Sequence, residues 1–128
     1  LHEYSMAERI VRAVLDAAGS KSASSIIEIS LDVGELTFLS HEQLVFCIEV
    51  LSKGTIAENA KVIVTTTKVQ VRCPKCSYVG SVEYLGDEVH SMIPIPILTC
   101  PKCGSGEADV TEGNECTVRG IRVRAEND

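Results

Sequence analysis

Aromatic residues and positive charge are both scarce in this sequence. Tryptophan is absent, and 12 Lys and Arg residues are outnumbered by 18 Asp and Glu, which gives a formal net charge of −6. An acidic chain repels phosphate backbones, so the sequence-independent part of nucleic-acid affinity is missing. Between Cys73 and Cys103, only Tyr78 and Tyr84 could stack on bases. We therefore expect no nucleic-acid partner.

Long hydrophobic runs are also lacking. No apolar stretch approaches the roughly 20 residues that a membrane-spanning helix needs. The first residues lack the basic start and long apolar centre of a signal peptide. We therefore expect a cytoplasmic protein, in a reducing compartment and without a membrane partner. Hydrophobic residues still make up 45% of the chain, enough for a folded core.

Two matching cysteine pairs stand out in the second half of the sequence. They read Cys73-Pro-Lys-Cys76 and Cys100-Pro-Lys-Cys103. Each pair can close a tight turn that directs two thiolates at one point, and four thiolates form the tetrahedral cage of structural zinc. The pattern predicts a zinc ribbon with these four ligands and no open position for catalysis. Two disulfides or a dithiol redox site are the alternatives, which the doubled motif disfavours.

The remaining cysteines, Cys47 and Cys116, lie among apolar neighbours. Unpaired cysteine commonly behaves as a small hydrophobic residue, so we expect two buried thiols. A disulfide between them is the alternative, and a reducing compartment disfavours it.

Two segments have the pattern of amphipathic helices. Ser5 and Glu8 form a capping box, which predicts the start of the first helix, and apolar residues follow at three- and four-residue steps. A second capping box, Ser40 and Gln43, predicts a helix that ends near Gly54.

Strand patterns occupy most of the remaining chain. Alternation predicts a half-buried strand at 27–33, and β-branched residues predict a long strand at 61–72 that leads into the first cysteine pair. Shorter strands are predicted at 79–85, 108–111 and 116–123. We expect the last strand to return to the sheet of the first module.

These elements predict an α+β fold, in which two helices pack on a small mixed three-stranded sheet with an inserted zinc-ribbon module. Residues 1–72 with 113–128 would form the α+β domain, and residues 73–112 the zinc ribbon. The ribbon is too short to fold on apolar burial alone, so metal must supply much of its stability.

His2 is a candidate ligand for a second metal. The Leu1 amine, the His2 amide and the His2 imidazole can bind one ion in a plane, which suits nickel(II) and copper(II). The fourth donor would be Glu3 or His90. The alternative is an ordinary solvated histidine near the chain start, and a surface histidine is also the default for His41 and His90.

Several motifs together resemble the nickel metallochaperones of hydrogenase maturation, the HypA/HybF family. The resemblance covers essentially the whole chain and rests on the following segments: His2-Glu3 before an amphipathic helix, Val33-Gly34-Glu35-Leu36, the helix with Phe46 to Leu51, Gly54 to Ala57, Cys100 to Ser105, and the closing strand from Gly113 to Val123.

This resemblance implies a carrier that binds Ni(II) through His2 in the α+β domain and delivers it to the large subunit of a [NiFe] hydrogenase. It also implies a structural Zn(II) held by the four cysteines, a GTPase partner in the same pathway and, in some relatives, a link to urease accessory proteins. His90 is similar in place to a loop histidine of some members.

Two departures from the family pattern bear on these expectations. The family begins with Met where this sequence has Leu1, and the planar chelate requires that residue 1 carry the free amine. No histidine flanks either cysteine pair, so exchange of thiolate for imidazole at zinc is not expected.

We expect a binding and transfer protein rather than an enzyme. A zinc-ribbon protein that binds nucleic acid or a transcription complex is the alternative function.

Overall fold

The computed structural model describes residues 2–85 and 95–125. Its elements, in chain order, are α1 (Glu3–Ser20), β1 (Ala23–Gly34), a 3₁₀ turn (Glu35–Thr37), α2 (His41–Ser52), β2 (Lys61–Thr67), β3 (Gln70–Arg72), β4 (Val79–Ser81), β5 (Tyr84–Leu85), β6 (Ile95–Pro96), β7 (Asp109–Glu112) and β8 (Cys116–Ala125).

The chain divides into two compact units. The first takes the described residues of Leu1–Val33, Thr37–Thr66 and Cys116–Asp128, and the second takes those of Gly34–Leu36 and Thr67–Glu115. The domain limits given above, at residues 72 and 113, stay a prediction. The boundaries between the two compact units fall after Thr66 and after Glu115, a few residues from the predicted limits. Residues 34–36 also belong to the second unit.

The first unit has the predicted α+β architecture. Its sheet has the order β2-β1-β8, and β8 runs antiparallel to β1 with Ile29 opposite Ile121. The prediction that the last strand returns to this sheet is therefore confirmed. The core is formed by the inner faces of the helices and sheet, and its fully buried residues include Val14, Ile29, Leu31, Leu44 and Ile48.

The two predicted helix starts had different outcomes. Ser40 is the N-cap of α2, and its hydroxyl oxygen accepts a hydrogen bond from the Gln43 amide at 3.3 Å. The Ser5 prediction is wrong, because α1 begins at Glu3 with His2 as its N-cap. The Ser5 hydroxyl donates to the His2 carbonyl at 3.2 Å, so it does not cap the helix.

The long strand predicted at 61–72 is broken in the structure. β2 ends at Thr67 and β3 begins at Gln70. Between them the Val69 amide donates to the Glu35 carboxylate at 3.2 Å, so it does not pair with another strand. The segment predicted at 79–85 is likewise two short strands, β4 and β5.

The second unit contains a three-stranded sheet of order β4-β3-β7 and a hairpin of β5 and β6. Its small core is centred on Val69, Val71 and Val82. The Gly34 amide donates to the Glu115 carbonyl at 2.8 Å, and a Cβ at Gly34 would lie 2.3 Å from the backbone of Gly113. Residue 34 can therefore hardly be anything but glycine.

Candidate metal centre

The two cysteine pairs adopt the same turn. The Cys73 amide donates to the Tyr78 carbonyl at 2.8 Å, and the Ser77 amide donates to the Cys73 carbonyl at 2.9 Å. The second pair repeats this at the same offsets, with Cys100 bonded to the Ser105 carbonyl and Gly104 bonded to the Cys100 carbonyl.

The fifth residue of each turn has a left-handed backbone. Ser77 has φ +64° and Gly104 has φ +77°. Glycine adopts this conformation without strain, whereas serine does so at a cost. The repeated turn directs two sulfurs per knuckle toward a common point.

The four sulfurs form one cluster. The Sγ atoms of Cys73 and Cys103 lie 3.6 Å apart, those of Cys76 and Cys100 lie 3.5 Å apart, and all four lie within 4.8 Å of one another. Tetrahedral zinc with bonds of about 2.3 Å to sulfur would space its ligands by about 3.8 Å. The donor set therefore fits a tetrahedral thiophilic ion such as Zn(II).

Without a bound cation, ionisation of all four thiols at once is unfavourable. Burial opposes ionisation of Cys100, but hydrogen bonds from the Cys103 and Lys102 amides outweigh it and lower the pKa of Cys100 to about 6. The Tyr78 amide favours the thiolate of Cys76, yet burial and the other three sulfurs raise the pKa of Cys76 to about 12. A bound cation would remove this penalty, so binding must release protons.

The cage is buried on one side and open to solvent on the other. Cys73 and Cys100 are each 1% exposed, Cys76 is half-buried and Cys103 is exposed. A Lys75–Glu107 contact of 4.0 Å crosses the cage surface between the two knuckle regions. Surface pairs of this length contribute little to stability.

The proposed nickel ligand lies at the start of α1. His2 is exposed and has an extended backbone, with φ −107° and ψ 142°. Its carbonyl accepts hydrogen bonds from the Met6 amide at 3.0 Å and from the Ser5 hydroxyl. The peptide that follows His2 is thereby fixed to the helix, while the His2 imidazole forms no hydrogen bond within the described residues.

Glu3 joins the first turn of α1 to the start of α2. Its carboxylate accepts a hydrogen bond from the Ser40 amide at 3.3 Å. Hydrogen bonds from its own amide and from that of Ser40 stabilise the charged form, which lowers the pKa of Glu3. Leu1 and His90 lie outside the described residues, so their parts in a nickel site stay predictions.

Glu35 makes two long-range contacts that the sequence did not predict. Besides the Val69 amide, its carboxylate accepts a hydrogen bond from the Tyr84 hydroxyl at 2.6 Å. Burial and the neighbouring Glu35 carboxylate raise the pKa of Tyr84. The only signal in the sequence was the motif Val33-Gly34-Glu35-Leu36, which does not indicate what Glu35 contacts.

The remaining residues considered in the sequence lie outside the cysteine cluster or make ordinary packing contacts. Cys47 and Cys116 are free thiols, half-buried against the core of the first unit, where burial raises the pKa of Cys116. His41 is the first residue of α2. The hydroxyl of Tyr78 is bonded to the Ser81 carbonyl at 2.8 Å, so both tyrosines of the zinc-ribbon region make contacts inside their own unit.

A family model described as "Hydrogenase/urease nickel incorporation, metallochaperone, hypA" matches residues 1–123. The chain belongs to the HypA family. This membership confirms the resemblance seen in the sequence. HypA proteins are nickel metallochaperones of hydrogenase maturation.

Two relatives are similar to this chain over nearly its whole length. The chain is 41% identical to hydrogenase maturation factor HypA of Methanothermobacter thermautotrophicus, over 96% of this chain and 97% of that protein. It is 36% identical to HypA of Methanobrevibacter smithii, over 100% and 99% of the two chains.

The fold is that of solved HypA structures. The solution structure of the Ni metallochaperone HypA from Helicobacter pylori matches with a TM-score of 0.71 and 22% identity, covering 98% of this chain and all of that one. A second solution structure, of a HypA protein, matches with a TM-score of 0.72 and 23% identity, with 98% of each chain covered. In the described part of the chain, no helix is long and apolar enough to cross a membrane.

Proposed function

We propose that this chain carries Ni(II) at its N-terminus and delivers it to the large subunit of a [NiFe] hydrogenase during maturation. Family membership over residues 1–123 is the observation that carries the proposal, because the family description names nickel incorporation. The exposed His2 imidazole at the start of α1 supports the location of the nickel site.

The proposed nickel ligands are the Leu1 amine, the His2 amide nitrogen and the His2 imidazole, with Glu3 as one candidate for the fourth donor. The first helical residues have no intrahelical acceptor for their amides, so the His2 amide can bind a metal without breaking a helical hydrogen bond. This amide must lose its proton, so nickel affinity falls as the pH falls. His90 is the other candidate for the fourth position.

The exposure of the two sites suits different tasks. A carrier must release its ion, and an exposed site at the chain start lets an acceptor approach and replace the donors one at a time. A cage in which two of four sulfurs are 1% exposed would release its ion slowly. We therefore assign nickel to His2 as cargo and zinc to Cys73, Cys76, Cys100 and Cys103 as a structural ion.

In this proposal the protein is not an enzyme. It acts in the cytoplasm with the GTPase of the maturation pathway and with the hydrogenase large subunit, and in some settings with urease accessory proteins. Family membership supports a role among the hydrogenase maturation proteins in general. The individual partners are our inference.

The proposal is tested by the metal content of protein with Leu1 as its free N-terminus, after nickel loading and desalting. We expect nickel and zinc in the wild type, and zinc alone in His2→Ala. A variant with one glycine added before Leu1 keeps the imidazole but displaces the amine, and it should also lose nickel. His41→Ala is the matched control and should retain both metals.

Equal nickel in wild type and His2→Ala would refute the N-terminal site. Cys76→Ser should lower zinc and leave nickel at His2 unchanged. Loss of nickel in Cys76→Ser with retention in His2→Ala would reverse the assignment of the two metals.

A further inference from the structure

Helix α2 carries apolar side chains on its outer face as well as its inner face. Leu44 and Ile48 are buried, whereas Phe46 is 65% exposed and Val50 is 43% exposed. A helix at a protein surface normally presents polar residues to solvent, whereas the outer face of α2 mixes Phe46 and Val50 with Glu42, Gln43 and Glu49. The described chain leaves this outer face uncovered.

The exposed face borders an open groove. Val45 and Phe46 of α2 line one side, Val62 and Val64 of β2 line the other, and the groove has a volume of about 660 Å³. The groove belongs entirely to the first unit.

Strand β2 adds hydrogen-bonding capacity to this surface. It lies at one end of the sheet order β2-β1-β8, so its outer edge has no strand partner within the described residues. An open edge presents unpaired main-chain N–H and C=O groups, and an extended segment can pair with them. A segment bound here would meet an apolar wall and a free strand edge together.

The charge of the groove is negative. Glu42 and Glu49 line it beside Phe46 together with His41, and no lysine or arginine is among the lining residues. Neither carboxylate forms an ion pair or hydrogen bond within residues 2–85 and 95–125. Both charges are therefore available to a basic partner.

The same charges argue against a second copy of this chain as the occupant. A two-fold interface places the same patch on both sides, so it would bring two pairs of unneutralised carboxylates together. Like charges opposed across an interface are costly. A different protein with basic residues around an apolar segment fits the groove better.

We propose that the groove between α2 and β2 binds an apolar segment of another protein, flanked by lysine or arginine residues. Phe46 is the apolar anchor, and Glu42 and Glu49 select the charge of the partner. The proposal does not depend on the nickel assignment, because it uses no donor of the His2 site.

The test uses two short labelled peptides, one of alternating leucine and lysine and one of alternating leucine and glutamate. Their binding to the full chain is measured by fluorescence anisotropy. We expect tighter binding of the lysine peptide, by about tenfold at low salt for two exposed charge pairs together with steering. The preference should shrink as salt screens the charges.

Variants separate the anchor from the charges. Phe46→Ser should weaken binding of the lysine peptide about tenfold, as removal of an interface anchor does. Glu42→Lys with Glu49→Lys should reverse the preference toward the glutamate peptide. Phe38→Ser removes an equally exposed phenylalanine outside the groove, and Glu8→Lys with Glu112→Lys makes the same charge change elsewhere. These controls should bind like the wild type.

Equal binding of the two peptides, or binding of neither, would overturn the proposal. So would a charge preference that survives Glu42→Lys with Glu49→Lys. Sedimentation of the wild type and Phe46→Ser tests the second-copy alternative, since a dimer that Phe46→Ser dissociates would assign the groove to self-association. Nickel content of the same samples keeps this result separate from the proposed carrier function.

Discussion

At the scale of single residues, Glu3 has a position that the sequence alone does not explain. It follows the proposed nickel ligand directly, and its carboxylate accepts a hydrogen bond from the Ser40 amide, 37 residues later in the chain. The same residue therefore fixes the first turn of α1 against the N-terminus of α2. Such a contact holds the backbone on one side of His2 while the imidazole stays exposed.

The pH dependence of Glu3 is the first prediction. Because its pKa is lowered in the folded protein, its contribution to stability is present above the ordinary glutamate pKa of about 4.3. That contribution is lost as the pH falls through the folded value. An NMR titration should give a Glu3 carboxyl midpoint below about 4.3, and the Ser40 amide shift should follow the same curve. A midpoint at or above that value would contradict the Ser40 contact.

Gly34 gives the second prediction. A methyl group there would lie 2.3 Å from the Gly113 backbone, which cannot move aside as a flexible side chain can. Gly34→Ala should lower the free energy of unfolding by about 1–3 kcal/mol. Gly120→Ala is the control, because a Cβ at Gly120 meets no atom within 4 Å. Equal unfolding midpoints of the two variants in denaturant would show that the Gly34 contact is not tight.

At the scale of elements, the two knuckles have the same backbone turn and the same four-residue motif, but they differ at the fifth residue. Both have a left-handed fifth position, which is Ser77 in the first knuckle and Gly104 in the second. The sequence motif Cys-Pro-Lys-Cys is identical in both, so the fifth position is where their intrinsic stabilities should differ.

Exchange of these two positions gives the third prediction. Ser77→Gly should stabilise the metal-bound form by about 1 kcal/mol, and Gly104→Ala should destabilise it by a similar amount, because a Cβ is unfavourable in the left-handed region. Zinc affinity measured by competition with a chromogenic chelator reports both changes. Gly106→Ala, outside the turn and with no atom within 4 Å of its Cβ, should have little effect. Changes of the same sign in Ser77→Gly and Gly104→Ala would refute the argument.

The predictable elements were those with local signals. The Ser40 capping box, the alternation that marks β1 and the cysteine spacing each depend on neighbouring residues, and each appears in the structure. The Ser5 box failed because α1 already begins at Glu3, two residues before Ser5, with His2 as its N-cap. The strand at 61–72 broke because Val69 bonds to Glu35, a partner 34 residues away. Such long-range contacts produce no periodic pattern in the sequence from which they could be predicted.

The same distinction holds for the candidate metal centre. Four cysteines at ribbon spacing predicted a sulfur cluster without any knowledge of the fold, and the structure brings them within 4.8 Å. The Glu35–Tyr84 hydrogen bond could not be predicted, because the two residues are 49 positions apart and neither local sequence indicates the contact. For His2 the sequence indicated a ligand type, and the structure adds its exposure at the start of α1.

At the scale of the whole molecule, the two units depend on different sources of stability. The first has a core of helices and sheet with many buried aliphatic residues. Among its described residues, the second has a small core centred on three valines and a cysteine cluster, so we expect metal to supply much of its stability.

The fourth prediction follows from this contrast. Removal of zinc by a chelator should abolish hydrogen-exchange protection in β3, β4 and β7, and protection in α1, β1 and β8 should persist. The measurement is hydrogen exchange by mass spectrometry, with and without chelator. Cys47→Ser is a control, because it removes a thiol outside the cluster and should keep the zinc response. Loss of protection in both units at once would show a single cooperative fold.

Residues 34–36 make the second unit discontinuous in the sequence. They group with the second unit although the residues on both sides of them group with the first. Within that unit, Leu36 donates its amide to the Gly113 carbonyl, and Glu35 bonds to Val69 and Tyr84. A ribbon transplanted between relatives as one continuous cassette would therefore arrive incomplete. A recombination event that preserves the second unit must also transfer residues 34–36, which lie inside the segment that encodes the first unit. We therefore expect the two units to be inherited together.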